Sequence, residues 1–344
     1  MSVDPLAVLD RWTWSGAVEV SPTESGLINR SFVVRAGGEP IAVLQRLNTA
    51  IFDPRVHEDI EAVTAHLAAK GLPTPRLLRT REGTLWHTDA GGGVWRCLTP
   101  VGHSTIHKLD DPARARSAGR LVAQVHAALR DLDWSFRSVR GGTHDTPAHM
   151  RRLREAVHAH PEHRLHAEVG RLAEAILARW ERWEGPTDLP LRVIHGDLKI
   201  SNVRFDGTTA VALIDLDTFQ HGTLDTELGD ALRSWCNPAS EDAPVARFDL
   251  GIFAAAMQGY AAGAEGVIED EWASIVPGIE RIALELAARF ARDALEESYF
   301  GYDDRFGGHG EHNLLRARGQ LDLARTAAHA APHARRKLEE ARRR

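Results

Sequence analysis

The chain has 344 residues, 43% hydrophobic and 26% charged, with a formal net charge of −6. That length allows two lobes with real cores, and the charge gives no support for a nucleic-acid partner. Its two cysteines, Cys97 and Cys236, lie far apart and outside any metal-type spacing, which argues against a disulfide framework or structural zinc and for a reducing compartment.

The first residues carry no apolar signal region, and no run approaches the ~20 apolar residues of a membrane span. A cytoplasmic protein without membrane contact is expected. Residues 5–12 read as a short helix. Residues 25–34 (Ser-Gly-Leu-Ile-Asn-Arg-Ser-Phe-Val-Val) read as a turn and an alternating strand, Gly37-Gly38 as a hairpin turn, and 40–47 as a second strand. Gly26, among small and polar neighbours, is a candidate for a phosphate-covering loop, with a plain turn as the competing reading. Residues 53–70 form a helix: Pro54 suits its first turn, Ile60, Val63, Thr64 and Leu67 follow the helical period, and Gly71 ends it. Leu72-Pro73-Thr74-Pro75 forces an extended segment toward strands near 76–80, 84–87 and 93–98. Residues 1–98 thus describe a first lobe, a small antiparallel sheet carrying one helix.

From Asp111 the character changes. Ala118, Leu121, Val122, Val125 and Leu129 trace an apolar helix face. Further helices are expected over 147–159, 166–183, 226–235, 245–263, 276–297 and 311–331. The fold class is therefore α+β, with a mainly helical second lobe over 99–331. The Arg- and Glu-rich tail, 332–344, is expected as a solvated helix end or disordered.

The chemistry concentrates in the second lobe's one β-rich stretch. Two short apolar runs, 191–194 and 211–214, read as buried strands. His195-Gly196-Asp197 follows the first, Asp215-Leu216-Asp217 follows the second, and Asn202 lies five residues past Asp197. Phosphoryl transfer needs such a set: a carboxylate to accept the hydroxyl proton, and an Asn and an Asp to hold Mg²⁺ on the nucleotide phosphates. Asp197 is the candidate base, and Asn202 and Asp215 are the candidate metal ligands. Lys199 is placed to reach the γ-phosphate, against the plainer reading of an exposed lysine. Asp217 is a residue behind the metal, a second-metal residue or a surface acid. His195 is expected to orient the loop by hydrogen bonds.

The run His195-Gly-Asp-Leu-Lys-Ile-Ser-Asn202, followed by Ile214-Asp-Leu-Asp217, resembles the catalytic and metal-binding motifs of the aminoglycoside phosphotransferase and choline kinase-like families. These are bilobal relatives of protein kinases. The resemblance implies a protein kinase-like fold, ATP as co-substrate and Mg²⁺. It also implies a nucleotide-covering segment at 25–32, with Gly26, Asn29 and Ser31, and an adenine-holding hinge from Leu98 to Val101. The stretches at 26–34, 43–48, 61–67, 144–147, 229–234, 289–293, 299–300 and 311–321 are similar to the N-acetylhexosamine 1-kinase branch. Family members commonly carry a third-strand Lys that pairs with a helix Glu. Here Gln45 takes that place, with Arg46 beside it on the other face, and Glu61 or Glu58 is the candidate partner acid.

For the acceptor the candidates are Asp197, Asp230 and Arg233, then Arg289, Asp293, Tyr299 and His312, with Asn313 and Arg316 nearby. Asp230 also reads as a helix cap. The late helices carry no acidic run to hold several ammonium groups, which favours a neutral sugar over an aminoglycoside. The reading is an ATP- and Mg²⁺-dependent kinase of a sugar hydroxyl, with the anomeric hydroxyl of an N-acetylhexosamine as the specific expectation. An aminoglycoside, choline or amino-alcohol kinase is the alternative enzyme. A nucleotide-binding pseudokinase scaffold is the alternative outside enzymes, kept open by Gln45.

Overall fold

A computed structural model describes residues 4–23, 29–139, 141–142 and 144–343; Gly26 lies outside the described residues. The first lobe is built on alternation. Phe32 and Val34 on β2 (Arg30–Ala36), Ala42 and Leu44 on β3 (Glu39–Arg46), and Trp95 and Cys97 on β5 (Val94–Leu98) pack one face of the sheet. Val8 and Trp12 from a 3-10 turn at Leu6–Arg11 cover them. The other face carries Ser31, Gln45 and Arg96 as cross-strand neighbours. With β1 (Glu19–Pro22) and β4 (His87–Thr88) the sheet is antiparallel in the order β1-β2-β3-β5-β4.

Residues 76–80 make a single bridge, Leu77 to Leu98, rather than the expected strand. The Thr80 N–H turns instead to the Thr84 carbonyl, at 2.9 Å. The helix after Pro54, α1 (Val56–Ala69), buries Val56, Ile60, Val63 and Leu67 in a core shared with the second lobe. Its carboxylate Asp59 accepts N–H bonds from Trp134, Arg137 and Ser138 at 2.8–3.0 Å, which ties α1 to the second lobe.

The second lobe begins with β6 (Ser104–Thr105), α2 (Pro112–Leu129), α3 (Thr146–Ala159) and α4 (His166–Trp180). Asp111 and Asp145 cap α2 and α3, each before a Pro in the first turn. Next come β7 (Arg192–Ile194), β8 (Val203–Asp206), β9 (Thr209–Leu213) and β10 (Gln220–Gly222). The two apolar runs flanking the polar motifs do not pair with each other: β7 pairs with β10, and β9 with β8. Four helices close the chain: α5 (Leu224–Trp235), α6 (Leu250–Ala261), α7 (Glu269–Glu296) and α8 (His309–Arg342).

Helix α7 starts at Glu269, well before the expected 276. Pro277 suggests a first turn but sits inside the helix, and the true start is acidic and capped by Glu271 on the Ile268 N–H, at 3.0 Å. Helix α8 runs through Pro332 to Arg342. Ala334, Leu338 and Ala341 are buried, and Arg342 pairs with Glu269, so the last residues pack as helix rather than as a free tail. Helices α5 and α7 approach closely: a Cβ on Gly229 would lie 2.5 Å from the Gly278 carbonyl oxygen. No helix among the described residues is long and apolar enough to cross a membrane.

Candidate active site

Strand β7 delivers its chain directly into the motif at His195. The backbone N–H groups of His195 and Gly196 donate to the Glu227 carboxylate, at 2.8 and 2.9 Å. His126 lies 3.2 Å from the same carboxylate and bonds Tyr260 with its other nitrogen. Glu227 is fully buried. Burial works against its charge, but His126, the charge of His195 and the Gly196 N–H outweigh it and hold the carboxyl below its usual range. Gly196 turns with φ +79°, and a Cβ there would lie 2.8 Å from the Thr218 carbonyl oxygen, so only Gly fits. The far end of the loop hangs on the same helix: the Trp235 indole donates to the Leu198 carbonyl at 2.8 Å.

His195 acts as the orienting residue expected. Its Nε2 lies 3.0 Å from the Ile214 carbonyl, and its Nδ1 accepts the Asp197 N–H at 3.3 Å, which fixes one tautomer and joins the two polar loops. Asp197 Oδ2 accepts from Lys199 Nζ at 2.7 Å and from Asn202 Nδ2 at 3.0 Å. Burial opposes its charge, but the Lys199 ammonium outweighs this and keeps the carboxyl below the usual carboxylate range. The Asn202 amide nitrogen is committed to Asp197, through its backbone carbonyl as well, at 2.8 Å. That leaves the amide oxygen as an acceptor.

Asp215 lies 4.0 Å from Lys199 Nζ. It sits in the left-handed region with φ 64° and ψ 55°, a conformation that costs energy for a side-chain-bearing residue and persists where its surroundings dictate it. Burial, reinforced by the charges of Asp217 and Asp197, pushes its pKa up to about 6. Asp217 is no surface acid. It is buried, accepts two bonds from the Arg96 guanidinium (Nη2 at 2.7 Å) and a third from Asn29 Nδ2 at 2.7 Å. With Asp217 neutralised by Arg96, Asp197 and Asp215 face the single charge of Lys199. This set is one positive charge short and includes a carboxylate and an amide oxygen, donors that fit a hard divalent cation. No cluster of three or more His, Cys, Asp or Glu placed to hold a metal occurs among the described residues. A metal completed by phosphates and water needs none.

The nucleotide-side candidates divide. Ser31 and Gln45 share the cleft face with Arg96: Gln45 accepts from Arg96 Nε at 2.9 Å and donates to Ser31 Oγ at 2.8 Å. Arg46 lies on the opposite face, where its charge acts on Asp89. Glu61 faces Arg79 and Arg76, at 3.3 and 3.6 Å, so it is not brought to Gln45. Leu98 ends β5, and the Val101 carbonyl accepts from Arg204 Nε at 3.0 Å.

On the acceptor side, the buried pair Asp230–Arg233 (2.8 Å) lies near Asp197 and Lys199, each of which feels its charge. One oxygen of Asp230 is buried without a hydrogen-bond partner. His144 lies 3.4 Å from the Gly196 carbonyl and pairs with Glu285 at 3.1 Å. Arg289 lies 3.9 Å from Glu285 and reaches over the Tyr299 and Phe300 rings, lining a cavity of about 190 Å³ with them, Asp293 and Glu296. Asp293 accepts the N–H groups of Ser298, Tyr299 and Phe300 at 2.8–3.1 Å, and contacts His309 and Asn313 as well, so it shapes that wall. His312 and Arg316 converge on Asp242 instead, at 2.8 and 2.7 Å.

Sequence reasoning missed Glu227, Arg96, Arg204 and the pairing of His144. For Glu227 one signal existed, since it shares a helix face with Asp230 three residues on.

The sequence pattern described as "Phosphotransferase enzyme family" matches residues 19–265. The chain belongs to that family. Among phosphotransferases it is similar to the homoserine kinase of Methylobacterium nodulans, at 31% identity over 173 residues, 50% of each chain. The chain thus spans about half the length of the curated relatives it matches first. These relatives are homoserine kinases, not the hexosamine kinases expected. Among solved structures it resembles a complex of amicoumacin kinase with AMP-PNP and Ca²⁺, with TM-score 0.62, 12% identity and 92% and 91% of the two chains covered. A microcompartment-associated aminopropanol kinase aligns with TM-score 0.59 at 16% identity, covering 98% of both chains. At such identities these two structures establish the shared bilobal, protein kinase-like α+β fold.

Proposed function

We propose that this phosphotransferase is an ATP-dependent small-molecule kinase that transfers the γ-phosphoryl group to a hydroxyl of a small polar acceptor. One observation carries the reading: a carboxylate, Asp197, is held by Lys199 and Asn202 with Asp215 at the far side of the same ammonium. Asp197, kept ionised, orients the acceptor hydroxyl and takes its proton late in a loose transition state. Lys199 is the cation placed between base and phosphate. Asn202 and Asp215 would hold Mg²⁺, which when bound neutralises charge on the nucleotide phosphates.

For the acceptor we propose a sugar hydroxyl. Asp230 has a buried oxygen that lacks a donor, and a ligand hydroxyl is such a donor. The cations Arg233 and Arg289 both have acids beside them, a balance that suits a neutral polyol. Tyr299 and Phe300 offer the apolar ring faces a sugar pocket uses. The curated relatives favour a second reading, a homoserine-like hydroxy amino acid, whose carboxylate Arg289 would meet.

An ATP-consumption screen over hexoses, N-acetylhexosamines, homoserine, amino alcohols and aminoglycosides tests both, with products identified by mass and phosphorus NMR. Phosphorylation of an N-acetylhexosamine is the expected result. Turnover of homoserine alone moves the assignment to the second reading. Tight AMP-PNP binding with no turnover of any acceptor removes the kinase reading in favour of a nucleotide-binding scaffold.

A further inference from the structure

A buried polar line joins the two lobes behind the site. It runs from Ser31 Oγ through Gln45 and Arg96 to Asp217, then through Asn29, whose Oδ1 accepts the Asn48 N–H at 2.9 Å. Arg96 and Asp217 are each 1% exposed and lie 121 positions apart. Arg96 stands on the first-lobe sheet, and Asp217 on the second-lobe turn Leu216–Thr218, directly after Asp215.

We infer that Arg96 is a positioning residue for phosphoryl transfer, acting through Asp217 as a latch between the nucleotide-side sheet and the turn that carries Asp215. The inference rests on the kinase reading of the site. The guanidinium has little freedom: Gln45 takes Nε, and Asp217 takes both terminal nitrogens. Asp215 is held on both sides. The Ile214 N–H donates to the Asn202 carbonyl at 2.9 Å upstream, and Arg96 grips Asp217 downstream. A left-handed Asp persists under such constraint. Asn29, at the entry to β2, ends on the same carboxylate, so the nucleotide-side segment and the metal-side turn are referred to one anion. A buried ion pair adds little net stability over an apolar pair of similar volume. What it adds here is register between the lobes.

The test uses the full-length chain with Arg96→Met and Asp217→Leu combined, and Arg96→Lys alone. Melting temperature, AMP-PNP affinity with Mg²⁺ by calorimetry, and kcat are measured. The double variant is expected to melt within a few degrees of wild type, to bind AMP-PNP at least tenfold more weakly and to lose roughly 100-fold in kcat, the scale of an ångström-sized misplacement. Arg96→Lys, which keeps the charge but not the fork, falls between them. If the double variant does not fold, Arg96→Lys carries the comparison. A variant changed only in melting temperature, with affinity within twofold and kcat within threefold of wild type, overturns the latch. Should wild type bind AMP-PNP but phosphorylate no acceptor, the kinase reading fails separately, and the affinity comparison still decides the latch.

Discussion

The loop that carries Asp197 hangs on Glu227, and Glu227→Gln tests this with the smallest change of shape. In the native chain one carboxylate accepts the His195 and Gly196 N–H groups at 2.8 and 2.9 Å. A glutamine can accept only one of them and turns its NH₂ toward the other, which sets donor against donor. The lost charge-assisted bond and the stranded buried N–H together cost about 3 kcal/mol. An unfolding entropy of ~2.1 cal/mol/K per residue over 344 residues puts ~1.4 °C on each kcal/mol, so the melting temperature should fall by about 4 °C. Activity should fall more than stability. Gly196 precedes Asp197, and a shift of about 1 Å there costs roughly 100-fold in kcat, with AMP-PNP affinity little changed. Differential scanning calorimetry and single-turnover kinetics read the two effects. A melting temperature within 1 °C and kcat within threefold of wild type would refute the claim that this carboxylate sets the loop.

Asp197→Asn should lower kcat by roughly 10²–10⁴-fold, the range of general-base catalysis, while calorimetry still detects nucleotide binding; retained turnover removes Asp197 as base. Lys199→Ala should lower kcat more than it weakens nucleotide affinity, since a cation acting on the migrating phosphoryl group is felt most in the transition state; a loss in affinity alone gives it a ground-state role. Burial opposes the His144 cation, but Glu285 outweighs it and raises the pKa above the ordinary 6.5, while Glu285 itself is held at about 2. The His144 contribution to stability is therefore complete below pH 6.5 and is lost as pH rises through the raised value. Melting curves from pH 6 to 9 should show that decline in wild type and a flatter profile in His144→Gln; parallel profiles would contradict it.

What the sequence displays is chemistry carried by residue type over short spacing. Asp197, Lys199, Asn202 and Asp215 fall within one stretch whose flanking strands are apolar, so their convergence follows from local folding. The β2–β3 hairpin and α1 were legible for the same reason, through alternation, Gly37-Gly38 and Pro54. The β3 position of Gln45 was legible too, but not its consequence. The cation on that sheet face, Arg96, comes from a neighbouring strand, and its anion lies 121 residues away. Nothing local in either segment marks that pairing.

The acids make the limit plain. Asp217, Glu227, Asp230 and Asp293 all follow strand ends or sit in helices, and type and spacing do not separate them. Their donors do. Asp217 receives a guanidinium and an amide, Glu227 two backbone N–H groups, and Asp293 three backbone N–H groups. Each is satisfied from within the fold, so each builds the site without being free to meet a ligand. Asp230 alone of the four keeps a whole oxygen that is buried and without a partner, although a second acid, Asp225, has an orphan oxygen in the first turn of the same helix. Asp225 pairs with Arg281 at 2.5 Å, whereas Asp230 acts on Lys199 and His144. Among these acids Asp230 is therefore the one with an unused acceptor near Lys199, which is why the proposed acceptor hydroxyl is assigned to it. Backbone amides and distant guanidinium groups, which no motif displays, are what decide it.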